Sequence, residues 1–356
     1  MTAPVRATEQ APGRPPHGRS RTAGPPGGPP LPGPRGELSG AVRAALVSPD
    51  PDRTALPGAR ETAAADPYGD DLQLALYLLY ELHYRGFAGV GPDREWDARL
   101  LGLRARLERC FEAALHDAVP RGADVTAALD ALLVEPAEDD GTDISRFLSR
   151  AGSLGHLREY AAFRSLYHLK EADPHAWVIP RLRGRAKAAM VAVEYDEFGA
   201  GRAEGVHAEL FAALMADLGL DPAYGRYLDR APAAALATVN LMSLFGLHRA
   251  HRGALVGHFA SVEVTSSPAS ARLAAAMRRT GAGPAAEHFY TEHVEADAVH
   301  EQVVRREVVD GLLTEEPDLA ADLVFGIRAT GHLDRLLAAH ALPRWRSGRT
   351  ALRSPL

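Results

Sequence analysis

Downstream of Asp66, runs of β-branched residues are scarce, and this constrains the fold more than any other feature. Ala, Leu, Arg and Glu dominate, and apolar residues recur at helical spacing. "DLQLALYLLYELHYRGF" and "REWDARLLGLRARLERCFEAALHDAV" read as amphipathic helices separated by the glycine-containing "AGVGPD". "VTAALDALLVE" precedes the acidic linker "PAEDDGTD", and Asp143 fits as N-cap of "ISRFLSRAG". Further helices follow: "HLREYAAFRSLYHLKEAD", stopped or kinked at Pro174, "RGRAKAAMVAVEYDEF", stopped at Gly199 and Gly201, and "AEGVHAELFAALMADLG". The apolar "PAAALATVNLMSLFGLHRAHRGALVGHFASVEVTS" reads as one helix, with "PASARLAAAMRRTG" as the next. Pro284 suits the first residue of another helix, and "PDLAADLVFGIRATGHLDRLLAAHAL" closes the fold. No repeat of fixed period is present. The expected fold is an all-α bundle preceded by a smaller helical region.

Residues 1–66 form a different regime. "APGRPPHGRSRTAGPPGGPPLPGPRG" offers nothing to bury and reads as a disordered tail, with "ELSGAVRAALVSP" as one transient helix. The expected organisation is a tail over 1–66, a helical region over 67–150, a main domain over 151–345 and a short tail over 346–356. The net charge of −6 carries no basic footprint for nucleic acid. No stretch is apolar enough to span a bilayer, and no secretory leader is recognisable, so a cytoplasmic location is expected. Cys110 is the sole cysteine, which excludes Cys-rich metal sites and intramolecular disulfides. Any metal must be held by His and carboxylates.

"HVEADAVH" supplies such ligands at H-x3-D-x2-H spacing. On a helix at roughly 100° per residue, His293, Asp297 and His300 share one narrow stripe, while Glu292, Glu295 and Glu301 project elsewhere. Hard-ligand iron sites draw several carboxylates and histidines from facing helices. Four further candidates stand out: Glu171 before Pro174, Glu197 at the end of an apolar helix, His207 in "EGVHAELF", and Glu263 late in a long apolar helix. A lone buried carboxylate at Glu263 would be costly without a partner. His248, His251, His258, His288 and His332 lack a matching carboxylate stripe and read as structural or supporting. Glu197 and His207 would lie about 15 Å apart along a continuous helix, too far to share a metal cluster. The glycines of "FGAG" permit a break that brings them together. Glu204 and His207 form the competing E-x2-H pair on one helix face.

The ordered set Glu197, His207, Glu263 and H-x3-D-x2-H resembles the haem-oxygenase-like diiron oxidases, or iron-containing redox enzymes, over about residues 150–345. "EYDEFGAGRAEGVHAELF" resembles their glycine-containing second-helix segment. The resemblance implies a haem-oxygenase-like helical bundle, here with an additional N-terminal helical region. It also implies two Fe ions on Glu197, His207, Glu263, His293, Asp297 and His300, with Glu171 placed to add a carboxylate, and it favours Glu197 over Glu204. The implied activity is O2-dependent oxidation through a peroxo-diiron(III) oxidant. The substrate would be a small or amino-acid-derived molecule, and with no nucleotide-binding loop evident the electrons would come from an external donor. Phe163, Tyr167, Tyr195, Leu210, Phe259 and Tyr290 are the expected pocket residues. The upstream helices would pack on the core or form a homodimer surface. Two other readings stand beside this one: a haem-binding or haem-degrading protein of the same fold, and a non-catalytic helical binding protein.

Overall fold

A computed structural model describes residues 28–50, 53–134 and 141–356. The described residues contain no β-strand, only one isolated antiparallel bridge between Phe198 and Val206. The first half runs α1 (Glu37–Val47), α2 (Ala59–Ala63), α3 (Asp70–Glu81), α4 (Ala98–Ala118), α5 (Val125–Leu133), α6 (Ile144–Arg150), α7 (Leu154–His168) and α8 (Asp173–Ala176). The second half runs α9 (Gly184–Glu197), α10 (His207–Asp217), α11 (Ala233–Leu247), α12 (Arg252–Thr280), α13 (Pro284–Val303), α14 (Asp310–Glu315) and α15 (Ala320–Arg346). One continuous apolar core extends from Leu38 to Leu352. Within it α12 packs against α13 and α15, and α3 packs against α11.

Local chemistry explains the helix ends. The Asp143 carboxylate accepts the Arg146 N–H at the start of α6, as expected of an N-cap. Pro284 opens α13, and the Asp217 carboxylate on α10 accepts the Ala285 and Ala286 N–H groups.

Several expectations need correction. Residues 28–50 and 53–66 are not a disordered tail: Leu38, Val42 and Leu46 of α1 are buried in the common core, and the Asp71 carboxylate accepts the Leu38 and Ser39 N–H groups. The apolar stripe of α1 therefore has the partner face that a tail would lack. Residues 1–27, and the acidic linker over 135–140, lie outside the described residues. The 346–356 segment also folds back, with Ala351 and Leu352 buried and the Glu159 carboxylate accepting both the Ala351 N–H and the Trp345 indole N–H.

The α7 helix ends at His168, short of Pro174, in a turn where Ala172 adopts φ 74°. The single long apolar helix is two helices, α11 and α12, and its break falls at His248 and not at Pro268. Arg181 donates to the Gly246 and Leu247 carbonyls at the end of α11, and His248 Nε2 lies 3.0 Å from Glu108 Oε1. Pro268 instead sits inside α12, where packing against α13 and α15 carries the helix across the lost hydrogen bond. Glu263 is therefore a mid-helix residue.

Helices α12 and α15 meet backbone to backbone. A Cβ at Gly257 would overlap the Leu323 carbonyl oxygen, and one at Gly326 would overlap that of Ala254. Gly326→Ala is expected to destabilise the protein by about 1–3 kcal/mol, read as a lower urea midpoint. An unchanged midpoint would contradict the packing described.

Candidate metal centre

The expected ligands arrive from five places in the chain. Glu171 lies in the turn after α7, Glu197 ends α9, His207 begins α10, Glu263 is in the middle of α12, and α13 presents His293, Asp297 and His300. All seven are buried. They form two groups whose potential ligand atoms lie within 4.8 Å of one another: Glu171, His207 and His293, and Glu197, Glu263 and His300. Glu197 joins the groups, with Oε2 2.7 Å from His207 Nδ1 and Oε1 3.6 Å from His300 Nδ1. Asp297 Oδ1 lies 3.7 Å from His300 Nδ1.

The "FGAG" break is what makes Glu197 and His207 neighbours. Gly199 and Gly201 both adopt φ 80° and Ala200 adopts φ 51°, so the chain reverses and the Phe198–Val206 bridge closes the loop. A Cβ at Gly199 would overlap the backbone of Gly205 and Val206. Glu204 is exposed in this loop and lines a separate outer cavity together with Glu292 and Glu295. The geometry thus brings Glu197, and not Glu204, to His207.

Side-chain chemistry tests whether a cation fits. Glu171 Oε2, His207 Nδ1, Glu263 Oε2, His293 Nε2, Asp297 Oδ2 and His300 Nδ1 are buried and make no hydrogen bond. Several lie close to one another, Glu263 Oε2 and His300 Nδ1 at 3.3 Å for example, yet are not aligned as donor and acceptor. So many unsatisfied buried atoms in one place are costly unless a shared partner satisfies them, and a metal ion does so. The other ring nitrogens are already committed. His293 Nδ1 donates to the Phe289 carbonyl at 2.7 Å, and His300 Nε2 lies 3.2 Å from Asp196 Oδ2. Each ring is thereby oriented with its remaining nitrogen toward the cluster.

Titration follows the same logic. Burial raises the Glu263 carboxyl, and the Asp297 and Glu197 charges add to this against the opposing pull of His300, pushing it up to about 8. Burial would lower His293, but Glu171, Asp297 and Glu197 push it up to about 10. Burial likewise opposes protonation of His300, yet Asp297, Glu263 and Glu197 carry it up to about 11. The carboxylates together demand positive charge.

Three neighbours were missed in the sequence. His168 Nδ1 lies 2.6 Å from Glu171 Oε1, and its Nε2 accepts from Arg164 Nε at 3.3 Å. Glu194 is buried one turn before Glu197 with both oxygens unpartnered, and burial, then the Glu197 and Glu263 charges, push it up to about 9. The signal was present as H-x2-E and E-x2-E spacings, each placing two groups on one helical face.

A cavity of about 420 Å³ opens beside the cluster, reached by Glu171, Glu263, His293 and Asp297. Of the expected pocket residues, Tyr167, Phe259 and Tyr290 line it. Phe163 packs in the core, Leu210 faces the outer cavity, and Tyr195 is exposed with its hydroxyl donating to the Ala200 carbonyl.

The molecule is thus an all-α bundle that gathers a buried His/carboxylate cluster able to hold a metal ion. The family model described as iron-containing redox enzyme matches residues 158–335, half of the chain and all seven candidate ligands. The chain belongs to that family. A comparison with curated proteins finds no match. No helix among the described residues is long and apolar enough to cross a membrane.

Proposed function

We propose that the protein is a non-haem diiron oxidase or oxygenase acting on a small or amino-acid-derived molecule, with O2 as cosubstrate and an external electron donor. The observation that carries this reading is the pair of ligand trios within 4.8 Å, linked through Glu197. Glu171, His207 and His293 would hold one iron, Glu197, Glu263 and His300 the other, and Asp297 stands beside His300. Bound iron would supply the electrons and Lewis acidity for oxidation by O2. The protein's own contribution is orientation. The Phe289 carbonyl fixes His293, the Asp196 carboxylate fixes His300, and the His168 N–H fixes Glu171.

A haem reading fits less well. A haem needs one axial histidine over an apolar slot, and here several carboxylates converge on the same space. After anaerobic Fe(II) loading and desalting, the full chain is expected to retain about two irons with no Soret absorbance, and to consume O2 only when loaded. Fewer than one iron per chain, or a haem spectrum, rejects the proposal.

Asp196→Ala is expected to weaken iron retention about 10–100-fold by freeing the His300 ring, measured by competition with a chelator. Unaltered retention would remove Asp196 from this role.

A further inference from the structure

The walls of the cavity beside the cluster are not equally charged. At one end stand the carboxylates assigned to the metals. His168, His175 and His258 also face the cavity; His168 is held between Arg164 and Glu171, and burial pulls His175 and His258 below the usual histidine range, so those two are neutral near pH 7. His258 is fixed further: the Thr330 hydroxyl donates to the Gly326 carbonyl, so it accepts from His258 Nδ1 at 2.8 Å. Arg272 is tied to Ser145 and to Asp143.

Arg164 differs from all of these. It lies in the middle of α7, lines the cavity, and spends Nε on His168. Its terminal nitrogens carry no hydrogen bond among the described residues, and Asp334, which also lines the cavity, acts on it through charge without a contact within 4 Å. The Tyr290 hydroxyl, which also lines the cavity, is buried and without a partner. Burial raises the Tyr160 and Tyr290 phenols above their ordinary range, so both face Arg164 as neutral hydroxyls, and the anions whose charge reaches Arg164 are Asp334 and Glu171. A permanent planar cation with unused paired donors, next to an unsatisfied hydroxyl, is a receptor for a carboxylate.

We propose that the substrate is a carboxylic acid whose carboxylate seats on the Arg164 guanidinium, assisted by the Tyr290 hydroxyl, with the rest of the molecule extending toward the metal cluster. The link through His168 to Glu171 places this anchor two hydrogen bonds from the cluster. The inference rests on the cluster being the reacting centre, and it names the class of molecule that reaches it.

The test is calorimetric binding to the full chain, both metal-free and anaerobically Fe(II)-loaded. The probes are phenylpropanoate, phenylpropanamide and phenylpropylamine, which differ only in the head group. The wild-type chain is expected to bind the carboxylate at least about tenfold more tightly than the other two. Arg164→Gln is expected to bring the three to within about twofold, and Arg164→Lys to restore part of the preference. Circular dichroism of both variants, unchanged, shows that the fold persists, and the comparison in the metal-free chain keeps any effect of Arg164 on Glu171 through His168 out of the head-group preference. Equal binding of the amide or amine overturns the assignment, as does a preference that survives Arg164→Gln or carboxylate binding no tighter than millimolar. Carboxylate binding that requires iron and ignores Arg164→Gln assigns the head group to the metal and overturns it as well. A wild-type chain that shows the preference but retains no iron refutes the diiron reading and leaves the carboxylate site standing.

Discussion

Glu263→Ala and His300→Ala are each expected to lower iron retention from about two per chain to one or fewer while leaving helix content nearly intact. Both residues belong to the same trio with Glu197, and the Glu263 and His300 atoms that face each other have no other partner. Deleting either leaves two protein ligands in that half of the cluster. Glu197 also belongs with His207 of the other trio, so the neighbouring ion loses support as well. The fold does not need these groups in the same way. Burial first, and then the Asp297 and Glu197 charges, disfavour the Glu263 carboxylate against the opposing pull of His300, so its removal relieves a penalty in the metal-free chain. The metal-free Tm of Glu263→Ala is therefore expected to stay level or rise, the opposite of what loss of an ordinary core contact does. Elemental analysis after anaerobic loading, alongside circular dichroism, reads both effects. Full iron in both variants would sink the ligand assignment.

Glu81→Ala is expected to cost about 3–5 kcal/mol, because it strands a buried charge. Lys170 is almost wholly buried, with Nζ 2.9 Å from Glu81 Oε2 and 4.1 Å from the centre of the Tyr84 ring. The Tyr224 hydroxyl donates to the same carboxylate at 2.7 Å. Asp173 also lies within electrostatic reach of Lys170, but Glu81 is the carboxylate in contact with its ammonium. The consequence reaches the cluster, because Lys170 immediately precedes Glu171. Arg85, just past α3, donates to the Leu169 carbonyl in the same turn at 3.0 Å. Helix α3 thus holds the turn that carries one ligand of the Glu171 trio. Urea unfolding measures the stability loss, and iron retention below the midpoint measures the loosening of Glu171. A stability change under about 1 kcal/mol would show that Lys170 finds another partner.

This coupling explains why the upstream helices were hard to read. Their amphipathic periodicity announced helices, and helices formed, but periodicity does not say which face meets which neighbour. Leu38, Val42 and Leu46 sit in a segment bounded by prolines and glycines, and composition assigned them to a tail. Burial against α3 overrode composition. Pro268 shows the same override: the local rule ends a helix there, and the packing of α12 between α13 and α15 outweighs one missing hydrogen bond. Conversely, no proline marks the break at His248. It depends on Arg181 and Glu108, which are remote in sequence.

The sequence by itself determined the helical class, the absence of cysteine ligands, and the stripe of His293, Asp297 and His300, because helical geometry converts spacing directly into a shared face. It also named Glu171, Glu197, His207 and Glu263 as the carboxylates and histidine worth testing. Only the tertiary structure decided that these residues meet. The left-handed turn through Gly199, Ala200 and Gly201 set Glu197, and not Glu204, against His207, and the cavity disclosed Arg164. The physical reason is range. Periodicity reports on residues within a few turns, whereas a metal cluster and the pocket beside it are built from five segments whose proximity is set by core packing.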